Sequence, residues 1–511
     1  MVDVNDIKDR VESAAALAKV TTAEAAAEFI KDGMNVGVSG FTPSGYPKAV
    51  PMALAKKVAD GAKIKINLYT GASVGPEIDA ELVKAGAIDR RAPYQTNKEM
   101  RNAINAGEVK YTEMHLSMVA QNIRYGFLPN RKDIEIAIIE ACKIIDLGKG
   151  QIGIIPTTSM GNSSSFVQSA KEVIIEVNTT QPAELEGMHD SYVPLDPPER
   201  KAIPIERPED LIGTKYIPCS LDKVVAVVPC DITDKTRPLG DIDEDAKNMG
   251  KNLVDFFKEE VAAGRLPKNL LPLQSGVGSV ANAVINGLVN SDFEDLTVYT
   301  EVIQDGMFDL IDAGKLRVAS GTALSPSPDC LKKFYANLDK YKKHLILRPQ
   351  EISNSPEVAR RIGVIAMNTA IEVDIYGNVN STHICGTKLM NGVGGSGDFA
   401  RNGFLTVFFT NSLAKGGKIS SVVPFCSHID HPSNDVDVIV SERGVADLRG
   451  LSPKERAELI IEHVANPKYQ PLLKDYFKRA CEACGNSQTP HLLDEAFSFH
   501  TRFNETGTME K

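Results

Sequence analysis

At 511 residues the chain is longer than one ordinary core encloses, and its 42% apolar and 24% charged residues suit a folded globular protein of two or more domains. A formal net charge of −10 argues against nucleic acid or an anionic membrane as the main partner, since either requires a basic surface, but it leaves room for a local basic pocket. No apolar run reaches the roughly 18 residues of a spanning helix.

Residues 1–20 interleave acids and bases with alanines, which predicts neither a secretory signal nor a transit peptide. The 8 cysteines, at 142, 219, 230, 330, 385, 426, 481 and 484, read as reduced thiols in a cytoplasmic compartment. Cys481 and Cys484 form a lone C-x-x-C with no second pair to complete a zinc site, so two thiols on one helical face are expected.

Along the chain, β-rich runs at 64–69, 134–139, 173–177, 224–228, 297–299 and 436–440 alternate with helical patterns at 49–60, 254–263 and 453–465. That alternation predicts an α/β protein with largely parallel sheets, arranged as two tandem open domains. The stretch 192–218 contains Pro194, Pro197, Pro198, Pro204, Pro208 and Pro218 and has the composition of an inter-domain connection. The expected domains are therefore 1–218 and 219–511. A faint internal echo links them. The run 36–38 leads through Ser39-Gly40 and a helix to a strand ending Tyr69-Thr70-Gly71; the run 270–273 leads through Ser275-Gly276-Val277-Gly278 and a helix to Tyr299-Thr300-Glu301. Glycine closes one copy and glutamate the other.

Gly276-Val277-Gly278-Ser279-Val280 follows a strand and precedes a helix, where backbone N–H groups can approach an anion or a developing oxyanion. With Ala281 and Glu301 it also satisfies a dinucleotide fingerprint, so the motif alone does not separate the two readings. Glu301 falls at the carboxyl end of a strand, where ligands gather in open α/β sheets, and a desolvated carboxylate there can attack an activated acyl group. Asn391-Gly392-Val393-Gly394-Gly395-Ser396-Gly397-Asp398-Phe399 packs four glycines into six residues and could present several N–H groups to a phosphate, carboxylate or thioester oxygen. Ala414-Lys415-Gly416-Gly417-Lys418 puts two cations on a flexible turn suited to a phosphate or pantetheine arm. Glu442 is a second strand-end carboxylate, and Lys235 or Arg237, beside Asp234, could hold a substrate carboxylate. His428-Ile429-Asp430-His431 lacks metalloprotease spacing, and no metal is expected there.

Taken together these words resemble the acetyl-CoA hydrolase/transferase family of class I CoA-transferases. The resemblance runs from Ser39-Gly40-Phe41-Thr42 and Gly45-Tyr46-Pro47-Lys48 through Leu273-Gln274-Ser275, Tyr299-Thr300-Glu301-Val302-Ile303-Gln304-Asp305-Gly306, Ser353-Asn354-Ser355-Pro356 and Asp374-Ile375-Tyr376-Gly377-Asn378-Val379-Asn380-Ser381. It closes with Gly394–Arg401 (394–401) and Ala446-Asp447-Leu448-Arg449-Gly450-Leu451-Ser452-Pro453. It implies a CoA-transferase-like fold. It also implies CoA exchange between an acyl-CoA and a short-chain carboxylic acid, with succinyl-CoA and acetate the first expectation and propionyl-CoA or butyryl-CoA alternatives. Coenzyme A is then a substrate, with no metal or nicotinamide, and a homodimer is expected. By position, Glu301 is the nucleophile, the loop 276–280 binds CoA and the Val277 N–H serves an oxyanion. Asn354 and Gly395 line the acyl site, Glu442 is an active-site carboxylate, and Asn391, Gly395 and Lys415 contact CoA. Lys235 stands where a relative has arginine and cannot form the same bidentate fork. Acyl-CoA hydrolysis on the same fold, nicotinamide-dependent oxidoreduction and a non-catalytic binding module are the competing readings.

Overall fold

In the computed structural model, which describes residues 4–129, 133–238, 240, 242–276 and 278–511, the first β-branched runs line up as one parallel sheet. Its strands are β1 (Asn35–Val38), β2 (Ile66–Tyr69), β3 (Ile88–Ala92), β4 (Lys110–Tyr111), β5 (Ile136–Ala141), β6 (Glu172–Asn178) and β7 (Val224–Cys230), in the order β7-β6-β5-β1-β2-β3-β4. Every adjacent pair runs parallel, with Val36 opposite Leu68 on one side and Ile136 on the other. A parallel sheet needs cover on both faces, which explains why β5 is buried at every residue.

The chain sorts by contact into two units: Met1–Pro238 with Thr297–Ile311 and Arg317–Ile362, and Leu239–Leu296 with Asp312–Leu316 and Gly363–Lys511. The expected division at 218 differs from this in two ways. The proline-rich stretch is no linker, because it is tied down onto the first unit. Asp190 accepts from the N–H groups of Ile212 (3.0 Å) and Gly213 (2.5 Å), Arg348 donates to the carbonyls of Pro208 (3.0 Å) and Asp210 (2.5 Å), and Ile217–Ser220 pairs with Gln151–Ile155. Glu301 also belongs to the first unit rather than to a C-terminal domain.

The loop after β1 ends at Lys48, where the helix Ala49–Ala59 begins without a side-chain cap of its own. The Glu176 carboxylate fills that role, accepting from the N–H groups of Lys48 (2.5 Å), Ala49 (3.1 Å) and Val50 (3.0 Å) at the positive end of the helix. Lys48 itself is wholly buried. Its ammonium donates to the Tyr46 carbonyl (2.6 Å), to Asp234 (2.6 Å) and to Glu140. Burial pushes the Glu140 carboxyl up, against the pull of Lys48.

Later in the first unit the strands Leu345–Leu347, Leu316–Gly321 and Leu296–Tyr299 lie side by side, and Val302–Ile303 pairs with Ala323–Leu324. In the second unit Leu273–Ser275, Ile365–Thr369, Leu405–Phe409 and Val438–Ser441 are parallel neighbours in that order, closed by the antiparallel Gly444–Asp447. The strand expected at 270–273 starts three residues later, after Pro272. The helix expected at 254–263 spans Glu244–Ala262, because Asp243 caps a polar first half by accepting from the Ala246 N–H (2.8 Å). That helix packs closely on Ser279–Val289: a Cβ at Gly250 would lie 2.8 Å from the Ala283 carbonyl oxygen. Cys481 and Cys484 share the helix Gln470–Cys484, and all eight cysteines are free thiols.

Replacing Lys48 with methionine leaves Glu140 and Asp234 buried without their cation, and the expected cost is about 3–5 kcal/mol. Urea denaturation checks it; an unchanged midpoint would show that the ammonium does not hold this region together.

Candidate active site

Leu296–Tyr299 delivers Glu301 to the carboxyl end of its strand, a half-buried position. The main chain there is fixed, since the Glu301 carbonyl accepts from the N–H groups of Thr322 (2.8 Å) and Ala323 (3.2 Å). The side-chain amide of Asn354 donates to Glu301 Oε1 at 2.5 Å. Asn354 is fully buried and caps the single-turn helix Gln350–Ser353. The Ser353 hydroxyl donates to Asn354 Oδ1 (2.9 Å), which turns the amide so that its NH2 faces the carboxylate. A second link joins the same two segments two residues upstream, where the Tyr299 hydroxyl donates to the Ile352 carbonyl. A carboxylate hydrogen-bonded in this way is oriented, and a positioned carboxylate can attack a carbonyl carbon.

Three glycine turns pack behind this pair. Gly71 N–H donates to the Gly40 carbonyl (3.2 Å), Gly161 N–H to the Thr322 hydroxyl (3.0 Å), and Gln350 N–H to the Gly161 carbonyl (2.9 Å). Gly161 has φ +47°, and a Cβ there would meet the Gly40 carbonyl at 3.2 Å. The other two candidates of this unit are already paired: Lys235 Nζ lies 2.6 Å from the buried carboxylate of Glu77, and Arg237 donates to the Thr96 hydroxyl.

The remaining candidates belong to the second unit. Val277 lies outside the described residues. Gly276 donates to the Met367 carbonyl (3.0 Å), and Gly278, at φ +122°, opens the helix that begins with Ser279 and Val280; nothing stands within 4 Å of a Cβ placed on it. Gly395 precedes the helix Ser396–Ala400, whose first hydroxyl bonds to the Val393 carbonyl (2.9 Å) and to His431 Nε2 (2.9 Å), so Asn391 and Gly395 flank a braced turn. Lys415 sits exposed at a hairpin turn between Leu413–Ala414 and Ile419–Ser420, its Nζ 4.7 Å from the Phe503 ring centre. Glu442 follows the strand Val438–Ser441 and accepts from both the N–H (2.8 Å) and the hydroxyl of Ser412, three residues before Lys415. Sequence motifs do not single out Ser412, Ser353 or Tyr299, although Tyr299 and Ser353 lie in the segments 299–306 and 353–356 that carry the family resemblance. Among the described residues no cluster of three or more His, Cys, Asp or Glu is placed to hold a metal ion, and no helix is long and apolar enough to cross a membrane.

Sequence models of the acetyl-CoA hydrolase/transferase N-terminal and C-terminal domains match residues 4–229 and 331–477. The chain belongs to the acetyl-CoA hydrolase/transferase family. A protein of Clostridium kluyveri named succinyl-CoA:acetate CoA-transferase is 55% identical over 96% of this chain and 90% of its own length. A Schizosaccharomyces pombe protein named acetyl-CoA hydrolase is 43% identical over 99% of this chain and 98% of its own. Among solved structures, 4-hydroxybutyrate CoA-transferase from Porphyromonas gingivalis superposes with a TM-score of 0.62 at 18% identity, covering 90% of this chain and 98% of that one, which shows a shared fold.

A hydrogen bond to a charged group contributes about 1.5–3 kcal/mol, so Asn354→Ala is expected to lower kcat roughly ten- to hundredfold with little change in acyl-CoA KM. Asn354→Asp sets a second carboxylate against the first and should fall further. Steady-state rates that rank the two variants the other way would show that the amide does not act on the Glu301 charge.

Proposed function

We propose that the chain is an acyl-CoA:carboxylate CoA-transferase whose nucleophile is Glu301, and that succinyl-CoA and acetate are its preferred pair. The observation that carries this reading is the Glu301 carboxylate, set at a strand end and held by a buried, pre-turned amide. The substrate pair is supported by the 55% identity to the Clostridium kluyveri protein of that name.

In the proposed cycle Glu301 attacks the acyl carbonyl carbon, and the electron pair moves onto oxygen. Main-chain donors at Val277 and Gly395, assigned by resemblance, would stabilise that charge. The C–S bond then breaks and CoA thiolate leaves, so that Glu301 carries the acyl group as a mixed anhydride. The thiolate attacks the glutamyl carbonyl carbon, expelling the first acid as its carboxylate and leaving CoA as a thioester on Glu301. An incoming carboxylate reverses both steps. Atoms and charge balance without an oxidant, a metal or a nicotinamide, and ping-pong kinetics follow. The lysine and glycine turns at Lys415 and 276–280 would bind the CoA arm, whose remote contacts help position the reacting centre. A homodimer and a cytoplasmic location belong to the same proposal and rest on the resemblance and on the free thiols.

The relatives named acetyl-CoA hydrolase support a second reading, in which water opens the intermediate. Acetate added to enzyme and succinyl-CoA separates the two. Acetyl-CoA is expected; free CoA thiol formed at a rate indifferent to acetate would favour hydrolysis. Glu301→Ala should abolish exchange, and borohydride should inactivate the wild-type enzyme only after acyl-CoA is added, with the modification mapping to the peptide containing Glu301. Full turnover by the alanine variant would refute the nucleophile.

A further inference from the structure

We infer that Arg200, carried on the proline-rich stretch, is a positioning residue for the Glu301–Asn354 pair and acts through Glu351; this rests on Glu301 being the nucleophile. The helix that presents Asn354 is the single turn Gln350–Ser353, too short to hold its own shape. Its direction must be set from outside. Gln350 Nε2 donates to the Leu116 carbonyl (3.0 Å) and the Tyr299 hydroxyl donates to the Ile352 carbonyl. Between them, Glu351, whose side chain is only 3% exposed, points into a cluster of charges that reaches the surface.

Arg124 grips both oxygens of that carboxylate, Nη1 to Oε2 at 2.7 Å and Nη2 to Oε1 at 2.9 Å. Arg200 adds Nη2 to Oε1 at 2.6 Å, donates through Nη1 to Gln121 Oε1 at 3.1 Å and through Nε to the Leu195 carbonyl at 3.2 Å. Arg124 also donates through Nε to Asp196, at 3.0 Å to Oδ1, so two guanidinium groups and two carboxylates balance. The helix Leu116–Arg124 thus holds the turn at two points, by a carbonyl at one end and a guanidinium at the other.

A bidentate Arg124 would by itself satisfy Glu351. The second cation comes from a different part of the chain and has a side chain 28% exposed, so the tie runs from the protein surface to a residue three positions from Asn354. With Arg200 removed, Glu351 keeps the Arg124 fork but loses the second tie that fixes its angle, so the turn can tilt slightly within its remaining hydrogen bonds. A tilt at Glu351 would shift the Asn354 amide relative to the Glu301 carboxylate, to which it is held at 2.5 Å.

The test is steady-state kinetics on Arg200→Ala, Arg200→Lys, Asn354→Ala and the double variant Arg200→Ala/Asn354→Ala. Arg200→Ala is expected to lower kcat about tenfold while acyl-CoA KM stays within about twofold. Arg200→Lys, which restores the charge without the fork, should recover part of the loss. In the Asn354→Ala background the alanine at 200 should cost nothing more, because its effect passes through that amide. Wild-type kcat in Arg200→Ala, or a loss that multiplies with that of Asn354→Ala, would overturn the inference. Should Arg200→Ala melt below the assay temperature, Arg200→Lys enters the same cycle in its place. Failure of the functional reading looks different: Glu301→Ala would turn over and Asn354→Ala alone would be silent.

Discussion

An ammonium group sealed away from water keeps its proton only if acceptors surround it. Lys48 meets that condition with all three of its N–H bonds, to a carbonyl and to two carboxylates, and those carboxylates are the hub of the first unit. Asp234 also accepts from the Gly45 N–H (3.0 Å), the Thr158 hydroxyl (3.0 Å) and Gln181 (2.9 Å), while Glu140 accepts from Thr157 (2.9 Å) and Asn178 (3.0 Å). Strand ends that would otherwise only pack side by side are thereby bound to one charge. From Thr158 the path continues by main-chain bonds, since its carbonyl takes the Leu324 N–H (2.8 Å) and Leu324 pairs with Ile303, two residues beyond Glu301. The strand end that carries Glu301 is thus linked to the Lys48 cluster by a short chain of hydrogen bonds.

Much of the frame was legible in the amino-acid order. Parallel strands buried on both faces must be nearly continuous apolar runs, and those at 134–139, 173–177 and 224–228 were found within two residues of their observed ends. Glu301 stands out for a different reason: it follows a strand end, where ligands gather in open α/β sheets, and is joined directly to the polar, glycine-containing segment 302–306. Its hydrogen bond to Asn354 spans 53 positions, and no local pattern announces it. The cluster of Arg124, Asp196, Arg200 and Glu351 is less legible still, because its partners lie up to 227 positions apart and each reads alone as an ordinary surface charge.

The proline-rich stretch shows why composition misled. Proline and exposed charge suggest a connector when only propensity is considered, yet a segment that forms little secondary structure can still be ordered if its polar groups find partners elsewhere. Here Asp190 and Arg348 supply them, each fully or almost fully buried. Such a segment follows the surface it is tied to, and this one crosses the face that carries the turn before Asn354.

The glycine at 71 has a consequence of its own. It closes the first copy of the strand–helix–strand echo where Glu301 closes the second, and a Cβ there would lie 2.5 Å from the Gly40 carbonyl oxygen and 3.0 Å from Gln350 Oε1. A side chain there would have to displace main-chain and buried polar atoms, so position 71 cannot carry a carboxylate as position 301 does. If Glu301 is the proposed nucleophile, a chain offers one such carboxylate and not two, and a burst of product on mixing would count polypeptides one for one.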